Sequence, residues 1–479
     1  MLLRELFAAG AAAGAAAEVD VTSLAYDARA VEPGALFFCV PGSRRDGHDF
    51  ASQAVERGAA ALVVERPLGL GVPEVLVGSA RAAMAPAAAL INGEPTARLR
   101  VVGITGTNGK TTTAFLTRSL LEATGTRAGL LGTVEQVIGG RAAPAERTTP
   151  EAIDLQRMFA RMLAEGDRAC VMEVSSHALA LHRADAIHWA VVVFTNLTQD
   201  HLDFHPSMDE YFLAKRRLFD ASPAHRIANV DDEHGRRLAR DFPGTVTVGI
   251  DSEDAELRAT RIETGFAGSS FHALGREWRT SMPGRFNVLN ALCAIAAARA
   301  LGAPDDELAA ALPQAARAPG RFEPVDEGQD FAVLVDYAHT PDSLENALRA
   351  ARALTARELI SVFGCGGDRD RGKRAPMGEI GARLADLAIV TSDNPRSEDP
   401  AAIIGAVLSG VPEGLAGRVE VIEDRRSAIH EAIARARAGD VVVIAGKGHE
   451  QGQELAGGVK VPFDDVSVAR EALRAAGAG

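Results

Sequence analysis

Between Gly103 and Thr112 the chain reads GITGTNGKTT, placing glycines, a lysine and two threonines where one element hands over to the next. The apolar Leu99, Val101 and Val102 before it predict a strand, and the amphipathic stretch from Thr111 to Thr124 predicts a helix. A glycine-rich turn at such a junction aims backbone N–H groups and the positive end of a helix at one spot, which suits phosphate. Here Gly106, Thr107, Asn108, Gly109, Lys110, Thr111 and Thr112 would wrap a nucleotide's phosphates. Lys110 has the reach for the outer phosphates, and Thr111 offers a hydroxyl to Mg²⁺. The run departs from GxxxxGK[ST], because Ile104 stands where that pattern has glycine. The plain alternative is a turn that only joins strand to helix.

Other polar runs also follow apolar strands. In MEVSSHAL (Met172 to Leu179), Glu173 could bind Mg²⁺, which takes few protein carboxylates beside phosphate oxygens; a structural ion pair is the alternative. A nucleophile–base pair from Ser175, Ser176 and His177 is disfavoured, since neighbours on an extended strand face opposite ways. FTNLTQDHLDFH (Phe194 to His205) brings His201 and two aspartates to a strand end, although a structural histidine and a helix-capping Asp203 would look the same. Lys215, beside Arg216 and Arg217, reads as part of a solvated basic face. Further on, DNPR (Asp393 to Arg396) fixes its backbone with Pro395 and offers the planar fork of Arg396 to a carboxylate, or is a turn with a surface arginine. GCGGDRDRGKR (Gly364 to Arg374) adds cations over a flexible loop. GKGHE (Gly446 to Glu450) adds a glycine turn, with Glu450 able to hold an ammonium. An ATP–Mg²⁺ site in the middle and a pocket for a zwitterion near the end suggest activation of an acid followed by amide formation.

The elements that position these groups follow from length and patterning. At 479 residues the chain is too long for one core, so two to three domains are expected. A first block to about Thr96 has short strands (Ala35 to Val40, Ala61 to Val64, Val75 to Val77) among Gly/Pro turns. A second alternates helical stretches with strands (Cys170 to Val174, Ala190 to Thr195, Arg226 to Val230) and carries a long helix from Asn287 to Leu301. A third repeats the pattern (Ala332 to Asp336, Leu359 to Phe363, Leu387 to Thr391, Val419 to Ile422, Val441 to Ala445). Such alternation predicts an α/β fold with mostly parallel sheets, whose ligands sit outside the carboxyl ends of the strands.

With 51 Lys plus Arg against 64 Asp plus Glu, the net charge of −13 argues against a nucleic-acid binder. Cys39 and Cys170 fall in strand-like runs and predict core packing rather than disulfides or zinc. The Ala/Gly-rich stretch Phe7 to Ala17 reads as helix and loop rather than a signal peptide, because Glu5 follows Arg4 and the run is weakly hydrophobic. No apolar run is long enough to span a membrane, and a cytoplasmic protein is expected.

Eleven segments carry a resemblance over essentially the whole length: TGTNGKTT, ERTTP, MEVSSHAL, FTNLTQDHLDFH, AKRRLF, PGRFNVLNAL, PGRFE, VDYAHTPDSL, GCGGDRDRGKR, TSDNPRSEDP and AGKGHE. In this order they resemble the Mur ligases, and within that family the MurE type. The loop without its first glycine is similar to the family's form of the phosphate loop. The resemblance implies three domains: residues 1–97, a small N-terminal α/β domain binding a UDP-sugar; 98–319, a central P-loop ATPase-like domain with a parallel sheet; and 320–479, a Rossmann-like C-terminal domain binding an amino acid.

It also implies a reaction and roles. ATP would phosphorylate the D-Glu carboxylate of UDP-MurNAc-L-Ala-D-Glu, and an amino group of meso-diaminopimelate would displace the phosphate. Lys110, Glu173, His201 and Lys215 would be catalytic; Thr111, Glu173, His201 and Lys215 would serve Mg²⁺, with Lys215 as a carbamate, against its reading as solvated. Asn287, Arg321 and Asp336 would face the nucleotide. Asp27, Arg29, Thr148, Thr149, Ser175 and Arg183 would hold the UDP-sugar peptide. Arg369, Asp393, Asn394, Arg396, Gly446 and Glu450 would hold diaminopimelate. The family implies a monomer working in cell-wall precursor synthesis. Two positions depart from it: Ala28 replaces the serine of a DSR run, and Leu181 stands where glutamine is frequent. The same chemistry on L-lysine or another amine, or a nucleotide-binding paralogue without turnover, are the competing expectations.

Overall fold

Apolar runs bounded by glycine and proline turns become the parallel strands that the patterning predicts. The computed structural model describes residues 1–7, 18–42 and 45–477; most of the Phe7 to Ala17 stretch read as helix and loop lies outside the described residues. The chain forms two units, Met1–Thr105 with Gly125–Val193 and Ala214–Arg226, and Gly106–Thr124 with Phe194–Leu213 and Ile227–Gly479.

In the first unit, strands Ser23–Ala25, Ala35–Phe38, Ala61–Val64 and Glu74–Leu76 pair in that order, all parallel. Every residue of the two central strands is buried, which is why they read as continuous apolar runs rather than alternating ones. Leu36, Phe38 and Val63 pack with Met84 and Ala88 of helix Ala80–Ile91 and with Ile153 of helix Ala152–Ala164. Strand Ala169–Glu173 lies between Arg100–Thr105 and Ala128–Leu131 in parallel register. The antiparallel hairpin Glu135–Ile138 and Arg141–Pro144 extends the edge.

In the second unit, helix Lys110–Ala123 packs along helix Arg285–Ala300. The carboxyl-terminal sheet runs Glu323–Pro324, Ala332–Asp336, Val441–Ala445, Leu359–Phe363, Leu387–Val390 and Val419–Val421, parallel except for its first strand. Its pleat sends side chains to two faces by period 2. Leu334, Phe363 and Val443 meet helices Pro341–Leu354, Arg374–Leu384 and Pro400–Leu408. Val335, Val362 and Ile444 meet Arg425–Arg435 and Asp465–Gly477. This doubly wound arrangement matches the expected fold class.

A three-stranded antiparallel sheet, Thr260–Gly265, Gly268–Ala273 and Arg276–Thr280, has no counterpart in the sequence reading. Its half-buried alternation, with Phe271 and Trp278 inward, is the signal that would have found it. Cys39 and Cys170 are buried core residues, as expected, and so are Cys293 and Cys365. No described helix is long and apolar enough to cross a membrane.

Candidate active site

The phosphate loop follows strand Arg100–Thr105 and opens helix Lys110–Ala123, so the strand–turn–helix reading of the motif holds. Two of its glycines are required by geometry. Gly106 has φ +150° and a Cβ there would meet Thr195 Oγ1 at 1.9 Å; Gly109, the N-cap, has φ +84° and a Cβ would meet Asn290 Oδ1 at 2.3 Å. Lys110 Nζ donates to the carbonyls of Gly106 (3.0 Å) and Thr107 (2.9 Å), folding the side chain back over the loop it serves.

A second segment braces this loop. Asn196 Oδ1 accepts from Asn108 N at 2.9 Å, the Asn196 carbonyl accepts from Thr107 N at 2.9 Å, and Thr195 Oγ1 donates to the Asn108 carbonyl at 2.6 Å. Thr107 Oγ1 accepts from Thr198 N at 3.0 Å and lies 3.1 Å from the Tyr211 hydroxyl. Asn287, buried, donates to the Pro283 carbonyl and accepts from Asn290 Nδ2, which puts both asparagines behind Gly109. Thr112 is buried in the helix's first turn.

The last third of the chain reaches the same loop. Asn108 Nδ2 donates to Asp342 Oδ2 at 2.7 Å, and Arg321 Nη2 donates to Thr111 Oγ1 at 3.0 Å. The Arg321 guanidinium stacks over Tyr337, 4.4 Å from the ring centroid. Asp336, at a strand's carboxyl end, accepts from Phe322 N at 2.6 Å; burial pushes its carboxyl up to about 6, against the pull of Arg321 and backbone N–H groups. His201, in the left-handed region at φ 57°, lies 3.4 Å from Asp200, which is also 3.8 Å from His339. Burial raises the Asp200 carboxyl, but His201, His339 and Lys373 outweigh it and hold it at about 2. Burial, with Lys373 nearby, pushes His339 down to about 4.

In the first unit, Glu173 ends strand Ala169–Glu173 with both oxygens accepting from Thr133, Oε1 from the backbone N at 2.8 Å and Oε2 from the hydroxyl at 3.1 Å. Thr148 lies 3.0 Å from the same hydroxyl, and Thr149 donates to the Glu173 carbonyl at 2.9 Å. Ser175 caps helix Ser176–Ala180 by accepting from Ala178 N, so its hydroxyl is a structural acceptor rather than a nucleophile paired to His177. Arg183 pairs with Glu151 at 3.0 Å, and burial lowers its pKa. Arg29 closes a local fork on Asp27 (2.7–3.1 Å) and is otherwise exposed, while Ala28 is buried. Lys215 corrects the solvated-face reading, since only 2% of it is exposed.

At the carboxyl ends of strands Leu387–Val390 and Val441–Ala445, the DNPR and GKGHE runs meet. Asn394 Nδ2 donates to Glu450 Oε2 at 2.8 Å, and Tyr337 reaches Glu450 Oε1 at 3.4 Å. Arg396, itself at φ 53°, donates through Nε to Glu454 (2.9 Å) and through Nη1 to the Gly367 carbonyl (2.7 Å), so the fork is already engaged. Burial raises the Asp393 carboxyl, but Lys447 and Arg425 outweigh it and hold it below the ordinary range. Gly446, at φ +126°, brings the backbone against Asp393 Oδ2. Arg369 is exposed and donates to its neighbour's carbonyl, Asp368 O. The flexible cationic loop expected for Gly364 to Arg374 is instead a turn running into a helix. Lys373 and Arg374 are buried, and Arg374 grips Glu398 at 2.8 and 3.1 Å.

The second unit thus gathers Lys110, Thr111, His201, Asn287, Arg321, Asp336 and the residues of the DNPR and GKGHE runs, while Glu173, Lys215, Thr148, Thr149, Ser175, Arg183, Asp27 and Arg29 belong to the first. Asn196, Asn290, Asp342, Lys447 and Glu454 were missed. Asn196, Asn290, Asp342 and Lys447 all stand inside motifs quoted above, whereas Glu454 lies outside them.

Three family models match consecutive parts of the chain: Mur ligase family, catalytic domain, over residues 20–103; Mur ligase middle domain, over 104–298; and Mur ligase, glutamate ligase domain, over 320–448. A Streptomyces coelicolor protein named UDP-N-acetylmuramoyl-L-alanyl-D-glutamate–2,6-diaminopimelate ligase is 48% identical over 471 residues, covering 95% of this chain and 93% of that one. A Geobacillus kaustophilus protein of the same name is 46% identical, covering 96% of each chain. A solved structure of a ligase of that name superposes with a TM-score of 0.68 at 32% identity, covering 95% of each chain.

Proposed function

The chain belongs to the Mur ligase family, and on that premise we propose that it joins meso-diaminopimelate to the D-Glu carboxylate of UDP-MurNAc-L-Ala-D-Glu, driven by ATP, in peptidoglycan precursor synthesis. A carboxylate oxygen takes the γ-phosphoryl group, giving an acyl phosphate and ADP. The amine then attacks the carbonyl carbon, phosphate leaves with that oxygen, and an amide remains. The observation that carries the reading is the phosphate loop, held by Gly106 and Gly109 with Lys110 folded over it and Arg321 and Asp342 from the last third of the chain bonded to it.

Each residue's task follows from its chemistry. Lys110 exchanges its two carbonyl partners for the transferring phosphoryl group and offsets the charge that builds there. Asp336 suits ribose hydroxyls, with Asn287 and Arg321 beside it. In the second unit Thr111 and His201, and in the first Glu173, are donors of the kind that would hold Mg²⁺, and the ion would supply charge neutralisation at phosphate oxygens. A buried ammonium is costly, and the burial of Lys215 supports a carbamate there. The neutral amine adds to CO₂ and releases a proton, so a cation becomes an anion with oxygen donors. Thr148, Thr149, Ser175 and Arg183, with Asp27 and Arg29, hold the UDP-sugar peptide. Arg369, Asp393, Asn394, Arg396, Gly446 and Glu450 hold the acceptor. The protein acts as a cytoplasmic monomer.

Amine-dependent phosphate release tests this directly, with ATP, Mg²⁺ and UDP-MurNAc-L-Ala-D-Glu and either meso-diaminopimelate or L-lysine as acceptor. Release with diaminopimelate in clear preference to lysine is expected; release with neither, or a preference for lysine, contradicts the reading. In the same assay Lys215→Ala loses turnover and acetate restores part of it; no rescue removes the carbamate.

A further inference from the structure

We propose that Lys447 is a positioning residue of the acceptor pocket: it turns the Asn394 amide so that its N–H₂ serves Glu450, leaving Glu450 as the carboxylate that receives the acceptor's ammonium. This rests on the reading of that pocket given above.

The Lys447 side chain is fully buried, with 0% exposed. Its Nζ donates to Asn394 Oδ1 at 2.7 Å and to the Gly452 carbonyl at 2.9 Å, and lies 3.3 Å from Asp393 Oδ1 and 3.5 Å from Glu450 Oε2. One ammonium therefore pins three segments together: the strand end carrying DNPR, the GKGHE turn, and strand Gly452–Glu454.

The orientation of Asn394 follows from donor counting. Lys447 Nζ and the Glu454 backbone N–H (2.9 Å) both point at the same amide atom. An ammonium and a backbone N–H have no acceptor role, so that atom is the oxygen. The opposite rotamer would set an N–H₂ group against two donors. Nδ2 is thereby committed to the other side, where it donates to Glu450 Oε2 at 2.8 Å.

The same contacts sort the three carboxylates around the pocket. Asp393, 8% exposed in its side chain, is matched by the Lys447 ammonium. Glu454 is matched by Arg396 at 2.9 Å. Glu450 has a neutral amide as its nearest donor and a side chain 30% exposed. The Lys447 ammonium is farther from it, at 3.5 Å, than from Asp393, and no guanidinium grips it as Arg396 grips Glu454, so Glu450 combines partial exposure with the longest of the three ion pairs. Lys447 does not touch the acceptor in this account. It acts through Asn394 and Glu450.

Steady-state kinetics of the full-length protein test this with three variants. Lys447→Met removes the charge and the donor at similar volume. Lys447→Gln keeps a neutral donor for Asn394 Oδ1. Asn394→Asp keeps an oxygen for Lys447 but turns a second oxygen on Glu450. Expected are at least about a tenfold rise in acceptor KM for Lys447→Met and for Asn394→Asp, the size of one lost charge-assisted hydrogen bond. KM for ATP should stay within about twofold, and Lys447→Gln should recover most of the loss. An unchanged acceptor KM in Lys447→Met, an equal rise in the KM for ATP, or a glutamine variant as impaired as methionine overturns the assignment. Should Lys447→Met fail to fold by thermal melt, Asn394→Asp decides, and an unchanged acceptor KM there overturns it. Wild-type protein that turns over no amine brings down the reading of the pocket together with this assignment, whereas active wild type with unaffected variants brings down the assignment alone.

Discussion

Arg396 has two partners before any substrate arrives, and this sets what its substitution should do. Under the proposed role of Arg396, a substrate carboxylate must displace Glu454 from Nε or bind through the remaining edge of the guanidinium. A partly exposed ion pair of this kind contributes about 0.2–1 kcal/mol, so Glu454→Gln should lower the KM for diaminopimelate by roughly two- to fivefold. Arg396→Ala should raise it about ten- to a hundredfold, since a hydrogen bond to a charged group contributes about 1.5–3 kcal/mol. The KM for lysine, which lacks the second carboxylate, should move far less. Paired kinetics with both amines check this, and equal effects on both would contradict a carboxylate role for Arg396.

Much at this scale was legible in the sequence, because glycines, Lys110 and Arg396 announce themselves by type and spacing. Lys215 was not read from its own neighbourhood. Arg216 and Arg217 drew attention to charge, whereas the informative pattern was Tyr211, Lys215 and Phe219 at intervals of four, all nearly fully buried. Lys447 escaped for a different reason. A lysine between two glycines gives no sign of burial until three separate segments close around it.

Among the elements, helix Pro341–Leu354 brings the last third of the chain to the phosphate loop within the second unit. It starts on a reciprocal cap: Thr340 Oγ1 accepts from Ser343 N at 3.2 Å, and Ser343 Oγ accepts from Thr340 N at 3.0 Å. Pro341 follows at the first helical position, where no N–H is needed. Asp342, next in line, takes the Asn108 amide of the phosphate loop. Thr340→Val keeps the shape and deletes the cap, and should cost about 1 kcal/mol of stability, near the middle of the range for lost caps. The loosened helix start should raise the KM for ATP as well. Chemical denaturation and ATP kinetics on the same variant check both, and a full loss of stability with unchanged ATP kinetics would separate the helix start from the nucleotide.

Element by element, the buried parallel strands were the easiest to read, because Ala35–Phe38, Leu359–Phe363 and Val441–Ala445 are unbroken apolar runs. The meander from Thr260 to Thr280 was harder: one face is more open to solvent, so its apolar residues are diluted by Ser270, His272 and Arg279. The hairpin from Glu135 to Pro144 sits on an edge with its last strand fully exposed, and leaves almost no hydrophobic trace.

Across the whole molecule, the proposed function gives the phosphate loop, the Asp336 strand end and the Asn394–Lys447–Glu450 cluster parts in one sequence of events: a carboxylate is phosphorylated, and an amine then displaces the phosphate. The polar loops do lie at the carboxyl ends of parallel strands, as an open α/β sheet requires. Around Ala28, Asp27 and Arg29 pair with each other, and Arg183 pairs with Glu151. The central claim is that the substrate carboxylate is activated by phosphorylation, and oxygen tracing tests it most directly. UDP-MurNAc-L-Ala-D-Glu labelled with ¹⁸O in the D-Glu side-chain carboxylate is turned over with ATP, Mg²⁺ and meso-diaminopimelate, and the released phosphate is weighed by mass spectrometry. The account predicts one carboxylate oxygen in each phosphate formed; unlabelled phosphate released alongside the amide product would contradict it.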